Sequence, residues 1–373
     1  MGVMPQNQVE WTRAFRNRAI QDRVPLSGSL ELTSRCNLKC VHCYLGPQED
    51  QWKKREQEMS TTKVLSVIDE IVESGCLYLL ITGGDPMVHR DFAQIYRYAC
   101  EKGLLVTVFC DGILVNEAIL ALFDEYPPQV VEISIYGATA PVYEAITRVK
   151  GSYPRAIRGI ERLLDAGISV GLKTVMMEPN KHEVVAMAEL ARAYDVSFRV
   201  DSAIFPCLPV SDDSPTALRL SPQEAVAIEF AAAPERLEKW VEFIDDRRGA
   251  DYGKAVYRCG AGLTSFHLDP FGHAQPCLMT TQYRHSLEEN SFESLWRNEL
   301  VQLRSLQPRA GFECNSCEMQ LACSTCPGFN YQENGAEDVK SQYVCETTNE
   351  RWRAIQLHRS RNTRSETSET VRT

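Results

Sequence analysis

The sequence predicts an α/β protein, a partial (β/α)6 TIM-like barrel followed by a small cysteine-rich domain. Three observations carry this. Between residues 28 and 205, short apolar runs alternate with helix-periodic runs, the pattern of repeated βα units and of a parallel sheet with right-handed crossovers. Beyond residue 255 the alternation stops and cysteines accumulate. Between the two lies PCLPVSDDSPTALRL (206–220), whose Pro, Ser and Asp content marks a linker.

LSGSLELTS (26–34) reads as the first strand and TTKVLSVIDEIVESG (61–75) as its helix, closed by Gly75. LYLLITGG (77–84), LVTVFCDG (105–112), VVEISIYG (130–137), ISVGLKTVMM (168–177) and SFRVDSAIF (197–205) read as the further strands. The helices between them are 90–103, 116–126, 152–167 and 182–195, and a Gly follows several helix ends, as C-caps require. Ahead of the barrel, Trp11, Phe15 and Ala19 at four-residue spacing, with Arg13, Arg16 and Arg18, predict a short amphipathic helix. It either lies across the barrel or serves as a docking arm. After the linker, Ser221, Pro222 and Glu224 form a helix start with N-cap, N1 and N3 residues in place. The divisions are an N-terminal extension (1–27), the barrel (28–205), linker and helix (206–255), the cysteine-rich domain (256–355) and a polar tail (356–373) expected to be disordered.

Composition narrows the function classes. With 44% hydrophobic and 24% charged residues the 373-residue chain can bury a real core. Its net charge of −10 disfavours nucleic acid as a partner. No apolar run reaches the roughly 20 residues that span a bilayer, and the start MGVMPQNQ has no signal-peptide pattern. A cytoplasmic location is expected, where fourteen cysteines point to metal or catalysis before disulfides.

Six units are two short of a closed eightfold barrel, which leaves an open side and exposes the strand ends to one cleft. RCNLKCVHCY (35–44) follows strand one, GGDP (83–86) strand two, CDG (110–112) strand three and SIYG (134–137) strand four. All fall on the carboxyl-end rim, where α/β folds place chemistry. Cys36, Cys40 and Cys43 lie within eight residues. Soft thiolates suit zinc or iron–sulfur. Three of them can hold three irons of a four-iron cube and leave the fourth open to an outside ligand.

Cys36-x3-Cys40-x2-Cys43, followed by GGDP and SIYG, resembles the radical S-adenosylmethionine (SAM) superfamily over roughly residues 28–205. The resemblance implies a [4Fe-4S] cluster on the three cysteines, with SAM as ligand of the open iron and source of a 5′-deoxyadenosyl radical. The cofactor carries the hard step while the protein positions it and excludes water. His42 is implied beside the adenine. Gly83, Gly84 and Asp85 are implied to grip the SAM ammonium, with Asp where the family more often has Glu. Ser134 would bond the ribose or carboxylate, and Arg148 would pair with the methionine carboxylate. A packed core imidazole is the alternative for His42, and a solvated helix-end guanidinium for Arg148. Lys173 faces either the cleft or the outside; alternation does not choose. Cys110 and Asp111, where relatives often carry Thr-Asn, are the candidate catalytic pair, for quenching a radical or handling a proton.

In the C-terminal region Cys259 and Cys277 enclose Gly272, and Cys314, Cys317, Cys323, Cys326 and Cys345 follow. Alone, this Cx2Cx5Cx2C core suits a zinc ribbon. After a radical SAM barrel it resembles a SPASM domain, whose last short gap is more often x3 than x2. The resemblance implies two auxiliary [4Fe-4S] clusters, a nearer one on Cys259, Cys277 and Cys326 and a distal one on Cys314, Cys317, Cys323 and Cys345. One of the eight iron sites is then unfilled, either open or served by another residue such as Cys207. Cys76 and Cys100 read as small buried apolar residues.

The implied activity is hydrogen abstraction from a residue of a ribosomally made precursor peptide, giving an oxidative crosslink or rearrangement. An electron donor of flavodoxin or ferredoxin type is implied. A separate leader-binding protein is expected, since about 27 residues precede the barrel. The alternative is radical oxidation of a small cofactor precursor, tetrapyrrole or sugar. A non-catalytic zinc or electron-transfer scaffold is a third reading.

Overall fold

The computed structural model describes residues 6–208, 215–247 and 255–370. Strands β1 (Ser27–Glu31), β2 (Tyr78–Thr82), β3 (Leu105–Cys110), β4 (Val130–Ser134), β5 (Val170–Val175) and β6 (Ser197–Asp201) run parallel, each paired with its sequence neighbour. The period of two separates their faces. Leu30, Leu79, Ile81, Val106, Val108, Val131, Ile133 and Leu172 are buried in the main core, while Leu80, Thr82, Phe109, Ser134 and Lys173 line a cavity.

Helix α1 (Gln6–Gln21) precedes β1, and α2 (Gln48–Lys53) follows the thiol-bearing loop. The crossover helices are α3 (Thr61–Glu73), α4 (Phe92–Glu101), α5 (Glu117–Glu125), α6 (Ala140–Thr147), α7 (Ser152–Asp165) and α8 (Val184–Ala193). Their apolar stripes, including Val67, Ile68 and Ile71 of α3 and Ile160 and Leu163 of α7, join the core under the sheet. Ser60 and Asn116 accept backbone N–H bonds as N-caps of α3 and α5. Helix α1 forms where the spacing predicts it and buries Ala19, but Trp11 and Phe15 stack on each other with Trp11 67% exposed.

The sheet does not end at six strands. β7 (Ser265–Leu268) pairs in parallel with β1, and β8 (His273–Gln275) and β9 (His285–Ser286) add antiparallel to it, in the order β6-β5-β4-β3-β2-β1-β7-β8-β9. The cysteine-rich region therefore covers the edge of β1 that a six-stranded arc leaves with unpaired backbone groups. The sequence hides this because a four-residue strand with no crossover helix of its own carries no βα rhythm. Gly28 makes the pairing possible: a Cβ there would lie 2.2 Å from Cζ of Phe266. Phe266 packs on Phe292 and Trp296 of the helix Phe292–Asn298. Arg23 donates through Nη2 to the Trp296 carbonyl at 3.0 Å, and the Trp296 indole donates back to the Arg23 carbonyl.

The helix expected from Ser221 is present over Pro222–Ala232, with its capping box formed by Ser221 and Glu224, and a further helix covers Glu235–Asp246. Within the linker, residues 209–214 and 248–254 lie outside the described residues. The expectation of a disordered tail from residue 356 is corrected: the last helix runs Gln342–Thr370, and 371–373 lie outside the described residues. Its first half is docked by Ile355, buried against Ile244 and Ala322, and by Arg351, which donates to Glu229 at 3.0 Å. Arg359 pairs with Asp245 further on. Once a helix is nucleated, each added residue gains a backbone bond, so a polar composition suffices to continue it. Among the described residues no helix is long and apolar enough to cross a membrane.

Gly28→Ala is expected to overpack the β1–β7 contact and cost about 1–3 kcal/mol, read as a lower denaturant midpoint at unchanged slope. An unchanged midpoint would show that the Phe266 ring yields freely.

Candidate active site

Residues 33–47 between β1 and α2 carry the thiol triplet, and local bonds fix their path. Arg35 and Glu58 form a buried ion pair at 2.9 Å, and Glu58 also accepts from the Thr33 hydroxyl at 2.6 Å and the Ser34 N–H at 3.0 Å. Gln48 accepts the Cys36 N–H at 2.7 Å. Cys36 Sγ accepts the Leu38 N–H at 3.3 Å. Lys39 and Val41 donate their N–H groups to Thr147 and Ile146 at the end of α6.

The GGDP segment seats directly on this loop. Gly84 N–H donates to the Thr33 carbonyl at 2.9 Å and Asp85 N–H to the Arg35 carbonyl at 3.0 Å. A Cβ on Gly83 would stand 2.3 Å from the Thr33 oxygen, and one on Gly84 2.3 Å from the Arg35 oxygen. Gly83 also has φ +149. Both glycines are thus required by the approach of two backbones.

The rim encloses a cavity of about 430 Å³ lined by Cys36, Cys40 and Cys43 together with His42, Gly83, Gly84, Cys110, Asp111, Ser134 and Lys173. Asp85 is buried behind it, with Oδ1 accepting the Met87 N–H and Oδ2 the Asp111 N–H, both at 2.9 Å. Arg148 is not brought there. It caps α6 in the left-handed conformation and lines a separate hollow with Val41 and Pro179.

Buried negative charge dominates this rim. Burial, then neighbouring Asp111 and Asp85, pushes the Cys36 thiol up; burial and Cys43 do the same to Cys40. Burial and Asp111 push Asp85 up, and burial raises Asp111 and Cys110. Such groups ionise together only if positive charge arrives among them. Asp111 Oδ2, Asn37 Nδ2 and His42 Nδ1 are buried without a hydrogen-bond partner. This donor set fits a cluster iron on the thiols and a cationic, hydrogen-bonding ligand beside them. Among the described residues no three His, Cys, Asp or Glu groups converge as a single metal ion demands; a four-iron cube spreads its thiolates more widely.

His42 stands edge-on to Tyr136 at 4.4 Å, and burial pushes its imidazole down to about 4, so it is neutral. Parallel register sets Ser134 beside Lys173 and Lys173 beside Arg199. Lys173 faces the cavity, its Nζ 2.8 Å from the centre of the Phe109 ring, and burial pushes it down to about 7. The register answers what alternation left open.

Sequence reasoning missed a second polar group on the β1–β7 wall. Tyr44 donates to Glu31 at 2.7 Å, His267 Nε2 lies 4.0 Å from Glu31, and Ser29 and His267 Nδ1 are 2.8 Å apart. Burial pushes Glu31 up to about 7 and His267 down to about 4. The one available signal was a carboxylate inside an otherwise uncharged strand.

The C-terminal thiols also gather. A cavity of about 290 Å³ is lined by Cys259, Cys314, Cys317, Cys323, Cys326 and Cys345. After burial, the neighbours that raise Cys314 are Cys323, Cys317 and Cys345. Cys277 feels Cys326 and Cys259, and Cys326 feels Cys259. The proximities divide as four and three. Cys207 lies elsewhere, its Sγ 3.8 Å from the Cys43 carbonyl beside the first triplet. Cys76 is buried and Cys100 half-buried in the core.

A family model described as the radical SAM superfamily matches residues 30–191. The chain is 27% identical over 317 residues to the antilisterial bacteriocin subtilosin biosynthesis protein AlbA of Bacillus subtilis, covering 81% of this chain and 67% of AlbA. It is 28% identical over 312 residues to mycofactocin maturase MftC of Mycobacterium ulcerans, covering 80% and 82%. It is 25% identical over 329 residues to an AdoMet-dependent heme synthase of Methanosarcina barkeri, covering 82% and 92%. Streptococcus suis SuiB, solved bound to precursor peptide SuiA, shares the fold with TM-score 0.65 at 15% identity over 92% of this chain and 82% of SuiB.

Glu31 is expected to be neutral below pH 7 and to lose its proton as the pH rises through about 7. Infrared titration should show a carboxyl C=O band bleaching over that interval, absent from Glu31→Gln. A band gone already at pH 5 would refute the assignment.

Proposed function

We propose that this chain, which belongs to the radical SAM superfamily, is a SPASM-type maturase that abstracts hydrogen from a residue of a ribosomally made precursor peptide and yields an oxidative crosslink or rearrangement. The observation that carries the reading is the pairing of a three-thiol loop at the barrel rim with a second field of seven gathered thiols. The names of AlbA and MftC point the same way.

Cys36, Cys40 and Cys43 would hold the first cluster, which when bound with SAM supplies one-electron cleavage of the sulfonium to a 5′-deoxyadenosyl radical. The chain's own residues position and shield. Gly84 and Asp85 present a carbonyl and a buried carboxyl to an ammonium, whose arrival favours the ionised carboxyl. Neutral His42, braced on Tyr136, offers an apolar face and an unpartnered Nδ1 to the adenine. Ser134 offers a hydroxyl. With Arg148 outside the cavity, Lys173 is the cation on the wall nearest Ser134 by register, and takes a carboxylate. Asp111, with Oδ2 unpartnered, accepts a hydrogen bond, and Cys110 lies beside it. Phe109, Phe205 and Leu278 exclude water from the same cavity.

The auxiliary sets remain Cys259, Cys277 and Cys326, and Cys314, Cys317, Cys323 and Cys345. They would take the electron that the substrate radical gives up as it is oxidised, while a flavodoxin- or ferredoxin-type partner would donate the electron that SAM cleavage consumes. A second reading, oxidation of a tetrapyrrole or other small cofactor precursor, draws on the heme synthase relative, of which the chain covers 92%.

Anaerobic reconstitution should give about twelve irons per chain, from three four-iron clusters. The triple variant Cys36→Ala, Cys40→Ala, Cys43→Ala should lose all deoxyadenosine formation while keeping about eight irons. Cys314→Ala with Cys317→Ala should still cleave SAM yet form no product. Stoichiometric zinc with no reductive cleavage would end the enzymatic reading. Mass spectrometry of a co-expressed peptide then decides the substrate: an altered peptide mass supports maturation, whereas turnover only of a tetrapyrrole supports the second reading.

A further inference from the structure

Three gathered thiols, Cys259, Cys277 and Cys326, leave the inner auxiliary site with unmet bonding capacity, and one buried side chain near them has unmet capacity of its own. Tyr257 is 2% exposed, and its hydroxyl is buried with no hydrogen-bond partner. It packs with Ala261 and Leu303, and half-buried Cys277 and Tyr283 close the same cluster. The ring therefore packs in the cluster that Cys277 closes, two residues ahead of Cys259 in the chain.

Two neighbouring acceptor atoms already have donors. Glu337 Oε1 accepts from the Tyr283 hydroxyl at 2.8 Å and from Gln282 Nε2 at 2.9 Å. The Phe329 N–H donates to Cys326 Sγ at 3.4 Å. A buried hydroxyl left out of such a network destabilises the fold unless an acceptor completes it. Cluster sulfur is an acceptor, and a phenol O–H is a donor.

We propose that Tyr257 donates its hydroxyl to a sulfur of the inner auxiliary cluster and thereby raises that cluster's reduction potential. Hydrogen bonds to cluster sulfur stabilise the reduced, more negative form. The inner cluster then becomes the better acceptor for an electron leaving the substrate. Tyr257 acts here as a positioning residue for charge and touches no substrate. The inference rests on the assignment of Cys259, Cys277 and Cys326 as cluster ligands.

The test uses the full chain carrying Cys36→Ala, Cys40→Ala and Cys43→Ala, so that the remaining iron–sulfur signals are auxiliary. Potentiometric titration followed by electron paramagnetic resonance should show Tyr257→Phe lowering one auxiliary midpoint potential and leaving the other in place, at equal iron content. Identical midpoints in both proteins overturn the proposal, as does an equal shift of both clusters. Should Tyr257→Phe fail to load iron, the same titration is run on chain whose tyrosines are biosynthetically replaced by fluorotyrosine, a stronger hydrogen-bond donor. One midpoint should then rise, and no change overturns the proposal. A triple variant with no iron at all removes the cluster assignment itself, and the inference falls with it.

Discussion

Everything at the rim depends on two stretches of backbone lying closer together than any side chain allows. Gly84 and Asp85 donate their N–H groups to the Thr33 and Arg35 carbonyls, across a gap in which a Cβ on Gly83 or Gly84 would stand 2.3 Å from those same oxygens. That contact locks the end of β2 to the loop after β1. It sets the three thiols, Asp85 and, through the Asp111 N–H, the end of β3 in one frame. The Arg35–Glu58 pair braces the frame from the far side. Alanine in place of either glycine has nowhere to go, because the opposing atoms are backbone and cannot rotate away.

The frame concentrates unpaired acidity in a dry place. Burial raises Cys36, Cys40, Asp85 and Asp111, and the Asp111 carboxylate raises the other three further. Isolated, this is an unfavourable arrangement. With positive charge among the groups, the same crowding becomes affinity. The opposite wall is arranged differently. Burial holds Glu31 and His267 close to neutrality, and Lys173 is pushed toward the neutral amine. The molecule thus sets an acidic rim against a wall where Glu31 and Lys173 can exchange a proton near neutral pH while His267 stays neutral, an asymmetry suited to radical chemistry that ends in proton loss.

Much of this was legible in the residues. Six strands were readable because each combined a short apolar run with a following helical period, and the thiol triplet because its spacing is tight and its position follows a strand. The division of the C-terminal thiols into four and three is what the family pattern implies; the fold gathers six of them on one cavity, with Cys277 near Cys326 and Cys259. What stayed hidden depended on long-range contacts. Arg148 was assigned by motif, but its left-handed backbone ends α6 and turns it to a different hollow. Lys173 needed register, Glu31 needed His267 from 236 positions later to give it meaning, and β7 needed the bare edge of β1. The tail was misread because composition reports on solvation and is silent about a helix already nucleated by Ile355 and Arg351.

The β7–β9 hairpin makes the cysteine-rich region a structural part of the barrel. Grafting that region onto another barrel would require a recipient first strand with a glycine opposite the incoming phenylalanine, and a socket for Trp296. Removing it would leave β1 as a naked margin inviting intermolecular pairing. Modular exchange of the C-terminal half is therefore closed to this architecture, and its two halves must change in step.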